Sequence, residues 1–129
     1  MDDLSHFLKA AAERPFSWAD DGADCLSWLG EWVAVRHGVN PAAQFRSRYA
    51  TRTAAYRIIA EHGSREALIG AAVAPLGIRR TNAARRGDIA LVDAPEGELG
   101  AIVTGAWTAC IGPGGLRFRQ VPILAAWRV

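Results

Sequence analysis

The sequence predicts an α+β fold, with helices first and an antiparallel sheet after them. Three observations carry this. Apolar residues recur at helical spacing through the chain as far as Ala74. From Leu76 onward, short apolar runs alternate with Gly, Pro, Asp and Glu, which is the pattern of strands and turns. The chain has 129 residues, 50% of them hydrophobic and 22% charged, which makes one domain spanning 1–129 and a single core. A run of helices followed by a run of strands packs as helices on an antiparallel sheet.

The spacing predicts a first helix over Asp2–Arg14, with Leu4, Phe7, Leu8 and Ala11 on one face and Pro15 blocking its continuation. Phe16–Asp24 reads as a loop holding Trp18 and the acidic turn Asp20-Asp21-Gly22. A second, central helix runs from Asp24 through Val35 and stops at Gly38. Leu26, Leu29, Trp32 and Val33 form its apolar face, widened by Trp28 and Val35. Asn40-Pro41 opens a short helix through Phe45, as an Asn cap followed by proline favours. Thr51–Glu61 and Ser64–Ala74 are two more helices, parted by His62-Gly63. Glu66 in the first turn of the latter suits the helix dipole.

Five strands are predicted over Asp88–Val92, Leu99–Thr104, Ala106–Ile111, Leu116–Gln120 and Ile123–Val129. Pro95-Glu96-Gly97 and Gly112-Pro113-Gly114-Gly115 read as hairpin turns. The glycine-rich second turn lacks the Lys-Ser/Thr and the following helix of a phosphate loop.

Charge and cysteine usage narrow the function classes. A formal charge of +2 is too small to imply nucleic-acid or anionic-membrane binding. The acidic opening Met1-Asp2-Asp3 is not a secretory signal, and runs such as Leu68–Gly77 fall short of a membrane span. Cys25 and Cys110 are the only cysteines, too few for a zinc site or a disulfide framework, so free thiols in a reducing compartment are expected. The sequence therefore predicts synthesis in a cytoplasm, with no cofactor and no metal. Asp20, Asp21 and Asp24 lack the alternation and closing Glu of a calcium loop. Arg79-Arg80 and Arg85-Arg86 form a local basic patch, read as a solvated connection before a strand.

Cys25 is the one residue placed where chemistry is expected. It sits in the first turn of the central helix, where backbone N–H groups and the helix dipole favour a thiolate. The competing reading is a small buried core residue. A thiol hydrolase also needs a base, and the chain offers only His6, His37 and His62. His6 is expected at the surface. His37 and His62 each sit beside a glycine at a helix end, where they cap carbonyls. Of the tryptophans, Trp18, Trp28, Trp32, Trp107 and Trp127, most are expected as core or interface anchors.

Phe16-Ser17-Trp18 followed by Ala23-Asp24-Cys25 and a tryptophan-rich helix resembles the entry to the nucleophile helix of NlpC-type papain-like cysteine peptidases. Arg86-Gly87-Asp88-Ile89-Ala90-Leu91-Val92 resembles their Gly-Asp strand, and Leu99-Gly100-Ala101-Ile102-Val103 the strand after it. With the ending Ala126-Trp127-Arg128-Val129, the chain also resembles a small phage and prophage family of GC-rich bacteria. The resemblance implies a papain-like (NlpC-type) α+β domain, its N-terminal helices packed on a C-terminal antiparallel sheet or small barrel. It implies Cys25 as candidate nucleophile, with Trp18 and Asp24 in substrate binding. The catalytic histidine of active enzymes would stand at Glu98-Leu99, and its orienting partner at Ala109-Cys110, so the base is missing. The expected role is tail-associated, at a phage or prophage tail tip with the hub as partner, as a virion component of mainly structural or assembly function. The alternative is an active hydrolase of peptidoglycan stem peptides. An active enzyme would be a cysteine peptidase or amidase.

Overall fold

The computed structural model describes residues 2–13, 25–48, 52–112 and 114–129. Helix α1 spans Asp3–Ala12, and Asp2 caps it by accepting a hydrogen bond from the Ser5 N–H at 2.8 Å. Leu4, Leu8 and Ala11 are buried as predicted, and Phe7 packs half-buried beside them. The helix ends two residues earlier than the sequence pattern suggests, the Glu13 N–H reaching the carbonyls of Ala10 and Ala11. Pro15 and the predicted loop Phe16–Asp24 lie outside the described residues.

Helix α2 spans Cys25–His37. Gly38 ends it at φ +79°, a left-handed conformation open to glycine at little cost, with its N–H on the Ala34 carbonyl at 2.8 Å. Trp28, Leu29, Trp32 and Val33 are buried. Val35, expected on the apolar face, is instead exposed: at about 100° per residue it stands about 160° around the axis from Val33, at the edge of the buried stripe and in the last turn of α2.

The helix expected at Asn40–Phe45 is shifted downstream and is a 3-10 helix over Ala43–Arg48. Its entry is fixed by Asn40, whose Oδ1 accepts from the Ala42 N–H at 2.8 Å. Gly30 lets this turn press against α2: a Cβ there would lie 2.2 Å from Asn40 Oδ1 and 2.7 Å from the Ala42 Cβ. Helices α3 (Arg52–Glu61) and α4 (Arg65–Val73) follow, α4 capped by the Ser64 hydroxyl, which accepts from the Ala67 N–H at 3.0 Å.

The five predicted strands are all present: β1 Ile89–Ala94, β2 Gly97–Val103, β3 Thr108–Gly112, β4 Gly115–Arg119 and β5 Ile123–Trp127. They form one antiparallel sheet in the order β4-β3-β2-β1-β5. Both glycine-containing segments are the hairpin turns expected, with Gly112 opposite Gly115 in register. The fold class is therefore α+β, as the sequence predicts.

Alternation along the strands splits the sheet into two faces. Ile89, Leu91, Ile102, Ala109, Ile111, Ala125 and Trp127 pack with Leu4, Leu8, Trp28, Trp32, Ile69 and Val73 of the helices. The other face carries Ala90, Val92, Ala101, Val103, Cys110 and Ala126, and it too is buried, with Ala84 and Val121 of the connections packed on it. Ala101, Ala90 and Ala126 align across β2, β1 and β5, so this second face is built of small side chains that let the connections lie close. The segment before β1 joins the β5 edge: Thr81 donates to the Ala126 carbonyl, and Arg128 to that of Arg79, each at 2.9 Å.

Candidate functional site

The site is read from α2 outward, because Cys25 is its first residue. The Cys25 side chain, Trp18 and Asp24 lie outside the described residues; what the structure supplies is the frame around the helix start. The Trp32 indole N–H donates to the Gly87 carbonyl at 2.7 Å. Gly87 in turn donates to the Val103 carbonyl at 2.8 Å, so the second half of α2 is tied to the end of β2. Gly87 has φ +95°, a conformation that explains the glycine in the Gly-Asp pair. Cys25 lies seven residues before Trp32, about 10 Å along the axis at the helical rise.

Glu98 shares its face with Ile102 by strand alternation, which is the face toward the helices. Its carboxylate lies 3.9 Å from Arg65 Nη1 at the beginning of α4. One turn further along α4, Leu68 is buried in a cluster with Ile58, against which Leu26 and Phe45 pack. Leu26 of α2 thus packs against α4 one turn from the Arg65–Glu98 pair. Leu99 packs on the opposite face, among Val92, Ala101 and their neighbours.

On β3 the helix-facing residue is Ala109, fully buried, while Cys110 belongs to the other face. Burial pushes the Cys110 thiol up, with the Arg119 charge opposing that only in part. Cys110 is thus a neutral core thiol, separated by the sheet from the start of α2.

The histidines lie where the sequence places them, with a carbonyl contact shown for His62. His6 is exposed, and His37 is the last residue of α2, about 18 Å along the axis from Cys25. His62 is held by the α3 carbonyl of Ile58, 3.0 Å from its Nδ1. Its ring also meets Phe45 edge-on, with centroids 5.6 Å apart, and so borders the cluster that contains Leu26. Among the described residues, no group of three or more His, Cys, Asp or Glu is arranged to hold a metal ion.

Two arginines of the basic patch pair with acids, while Arg79 and Arg85 are exposed. Arg86 is bidentate to Asp2, with Nε at 2.9 Å and Nη2 at 3.0 Å, and its Nη1 reaches the Thr104 carbonyl at 2.8 Å. Arg86 holds the Asp2 carboxyl well below the ordinary range. Arg80 pairs with Glu66 and lies over the Trp127 ring, 5.5 Å from its centroid.

Sequence reasoning found the Gly-Asp strand but missed what its aspartate does. Asp88 is 2% exposed and accepts from Arg128 Nε at 2.9 Å and from the backbone N–H groups of Arg85 and Val129 at 3.0 and 3.2 Å. An aspartate directly before the four apolar residues Ile89–Val92 is the signal that could have marked a buried, partnered carboxylate. Also missed was an apolar cavity of about 50 Å³ beside the first turns of α2, walled by Leu26, Gly30, Phe45, Ile58, Leu68 and Ala72 among others. No helix among the described residues is long and apolar enough to cross a membrane.

No curated protein and no solved structure matches this chain. A family profile does, over residues 1–129: the chain belongs to DUF6950, a domain of unknown function.

Proposed function

We propose that the chain is a papain-like domain of NlpC type that has given up hydrolysis and works by binding, as an assembly component at the tail tip of a phage or prophage. One observation carries the loss of catalysis. The strand position at which the resemblance puts the catalytic histidine holds Glu98, whose carboxylate lies 3.9 Å from Arg65. The next strand offers the methyl group of Ala109 toward the helices, so a ring placed there would have no polar partner. A carboxylate beside a thiolate opposes its ionisation, and losing the base costs orders of magnitude in rate. The tail location, and the hub as partner, rest on the resemblance of the Gly-Asp strand and the Ala-Trp-Arg-Val ending to phage proteins.

The test pairs two assays. Purified tails are probed for this chain and for its cross-links to the hub, and the isolated protein is incubated with peptidoglycan fragments. Incorporation without cleavage is expected; enzyme-like cleavage with no tail association overturns the proposal.

A second reading is favoured by the placement of Cys25 at the first residue of α2, where the helix dipole lowers a thiol pKa. The pH dependence of alkylation, with Cys25→Ser and Cys110→Ser variants, tests it. A Cys25 pKa well below the ~8.5 of free cysteine favours the hydrolase; an unshifted thiol removes it.

A further inference from the structure

We propose that β4, the outer strand of the sheet, is a docking edge for an extended segment of another protein in which an acidic residue stands between two aliphatic ones. Binding there is independent of Cys25 and of the tail-tip reading.

Two independent observations meet on this strand. The first is the direction of its backbone groups. Only residues 113 and 114 separate the paired Gly112 and Gly115, and in so tight a hairpin the flanking pair exchanges both hydrogen bonds. Alternation along the ladder then makes Cys110–Arg117 and Thr108–Arg119 bonded pairs as well. The turn before β3 agrees: Thr104 donates to the Trp107 carbonyl at 2.9 Å, which directs the backbone of Thr108 toward β4. The N–H and C=O groups of Leu116 and Phe118 therefore point off the sheet. β4 ends the strand order, and among the described residues no backbone hydrogen bond from outside the sheet reaches it. The opposite edge is guarded. Arg80 bridges Trp127, Thr81 bonds the Ala126 carbonyl, and the β1–β5 register shifts between Leu91 and Val92. Cover and bulges of this kind are how sheets protect an edge. β4 instead pairs with β3 in unbroken register from Gly115 to Arg119.

The second is what the edge displays. Arg117 and Phe118 point to opposite faces of the sheet. Phe118 is 52% exposed, although it stands opposite Ala109 on the helix-facing side. Arg117 is exposed on the Cys110 side, and among the described residues it forms no salt bridge. The nearby Glu96 is taken by Arg119. A Cβ on Gly114 would collide with the Arg117 guanidinium, so this glycine lets the charge rest on the turn beside the edge. A strand added to β4 would set one residue against Leu116, one against Phe118, and the residue between them against Arg117. Aliphatic side chains suit the first two places, and a carboxylate completes the third. The same charge argues against a second copy of this chain. Antiparallel self-pairing in the registers of longest overlap sets Arg117 against Arg117 or Arg119, and like charges directly opposite destabilise.

The experiment is a titration of the isotope-labelled full chain, followed by NMR, with the synthetic peptide acetyl-Thr-Val-Glu-Val-Thr-amide. Saturable shifts and slowed amide exchange are expected at Leu116 and Phe118. Methylating the two valine nitrogens of the peptide removes the donors an added strand needs and should abolish both effects. Replacing its glutamate by arginine should weaken binding by about threefold or more, in the range exposed ion pairs give. Arg117→Glu, at an exposed position, should reverse that preference. Phe118→Pro removes one outward N–H while leaving β3 its partners, and should abolish binding; if it fails to fold, the methylated peptide and Arg117→Glu still decide. The absence of shifts at millimolar peptide overturns the inference. So does equal binding of the methylated peptide, or a preference unchanged in Arg117→Glu. Shifts at Leu116 and Phe118 on concentrating the protein alone would overturn it too, by making a second copy the occupant. None of these outcomes touches the peptidoglycan and tail assays, so the two proposals fail separately.

Discussion

Arg128 reaches back forty residues to Asp88, its Nε donating to Oδ2 at 2.9 Å, while its Nη2 holds the Thr81 hydroxyl at 3.0 Å and the Ala83 carbonyl at 2.8 Å. This one side chain joins the end of β5, the connection before β1 and the start of β1 itself. The two sequence landmarks of the sheet, Gly87-Asp88 and Trp127-Arg128, are thus halves of one clasp.

Asp88→Ala should cost about 3–5 kcal/mol, the usual loss when one partner of a buried ion pair is removed. The Arg85 and Val129 N–H groups would also lose their acceptor. Arg128→Ala should cost less, because the Arg128 side chain is 36% exposed against 3% for Asp88 and water can replace part of its contact. Urea unfolding of the two variants reads this order, and equal losses would contradict it.

Gly30→Ala tests the close approach of α2 and the Asn40 turn. Alanine gains about 1 kcal/mol in helix propensity. Its methyl group, however, would sit 2.2 Å from Asn40 Oδ1, forcing apart the turn that bonds the Ala42 N–H. Overpacking of this kind costs about 1–3 kcal/mol, so the net change in denaturant midpoint should be downward. A rise would mean the turn yields freely.

The strands were legible because their apolar runs are short, and because glycine and proline mark each reversal from Ala94 to Ile123. Helix α2 was legible through its apolar spacing and Gly38. Less was legible where long-range packing decides. Asn40-Pro41 carries a helix-start signal, but its side chain caps a turn, and the helix forms later as a 3-10 turn. Val35 looks apolar in sequence and lies at the surface. At the site, Cys25 was visible as a helix-start cysteine. Arg65 was not, since nothing local to α4 announces that it will meet Glu98, 33 positions away in the sequence.

The hairpin between β1 and β2 carries an exposed pair whose effect should follow pH. Arg119 grips Glu96, with Nη2 at 2.7 Å from Oε2, and holds the Glu96 carboxyl down at about 2 from an ordinary 4.5. With the folded value depressed, the unfolded chain takes up the proton first as pH falls. The pair's stabilisation is therefore whole above 4.5 and is lost progressively toward about 2. Glu96→Gln should lower stability slightly at pH 7 and flatten the acid limb, the two proteins converging by about pH 2. Denaturation curves across that range check it, and parallel curves would refute it. Added salt should shrink the difference at pH 7, as for any exposed pair.

Trp28 is fully buried, and its indole ring stacks on Phe7 with centroids 5.7 Å apart at 27°. Among the described residues its Nε1 has no hydrogen-bond partner, so the ring contributes area and dispersion while its N–H carries a desolvation cost of about 1–3 kcal/mol. Trp32, one turn on, spends the same group on the Gly87 carbonyl. The two tryptophans should therefore respond differently to phenylalanine. Trp28→Phe loses ring volume but sheds the unpaired donor, and the two effects offset, leaving a loss of about 1 kcal/mol or less. Trp32→Phe loses ring volume and strands the Gly87 carbonyl, for a loss of about 2–4 kcal/mol. Thermal unfolding of the pair decides, and a Trp28→Phe variant as unstable as Trp32→Phe would show that the indole N–H of Trp28 is satisfied in solution.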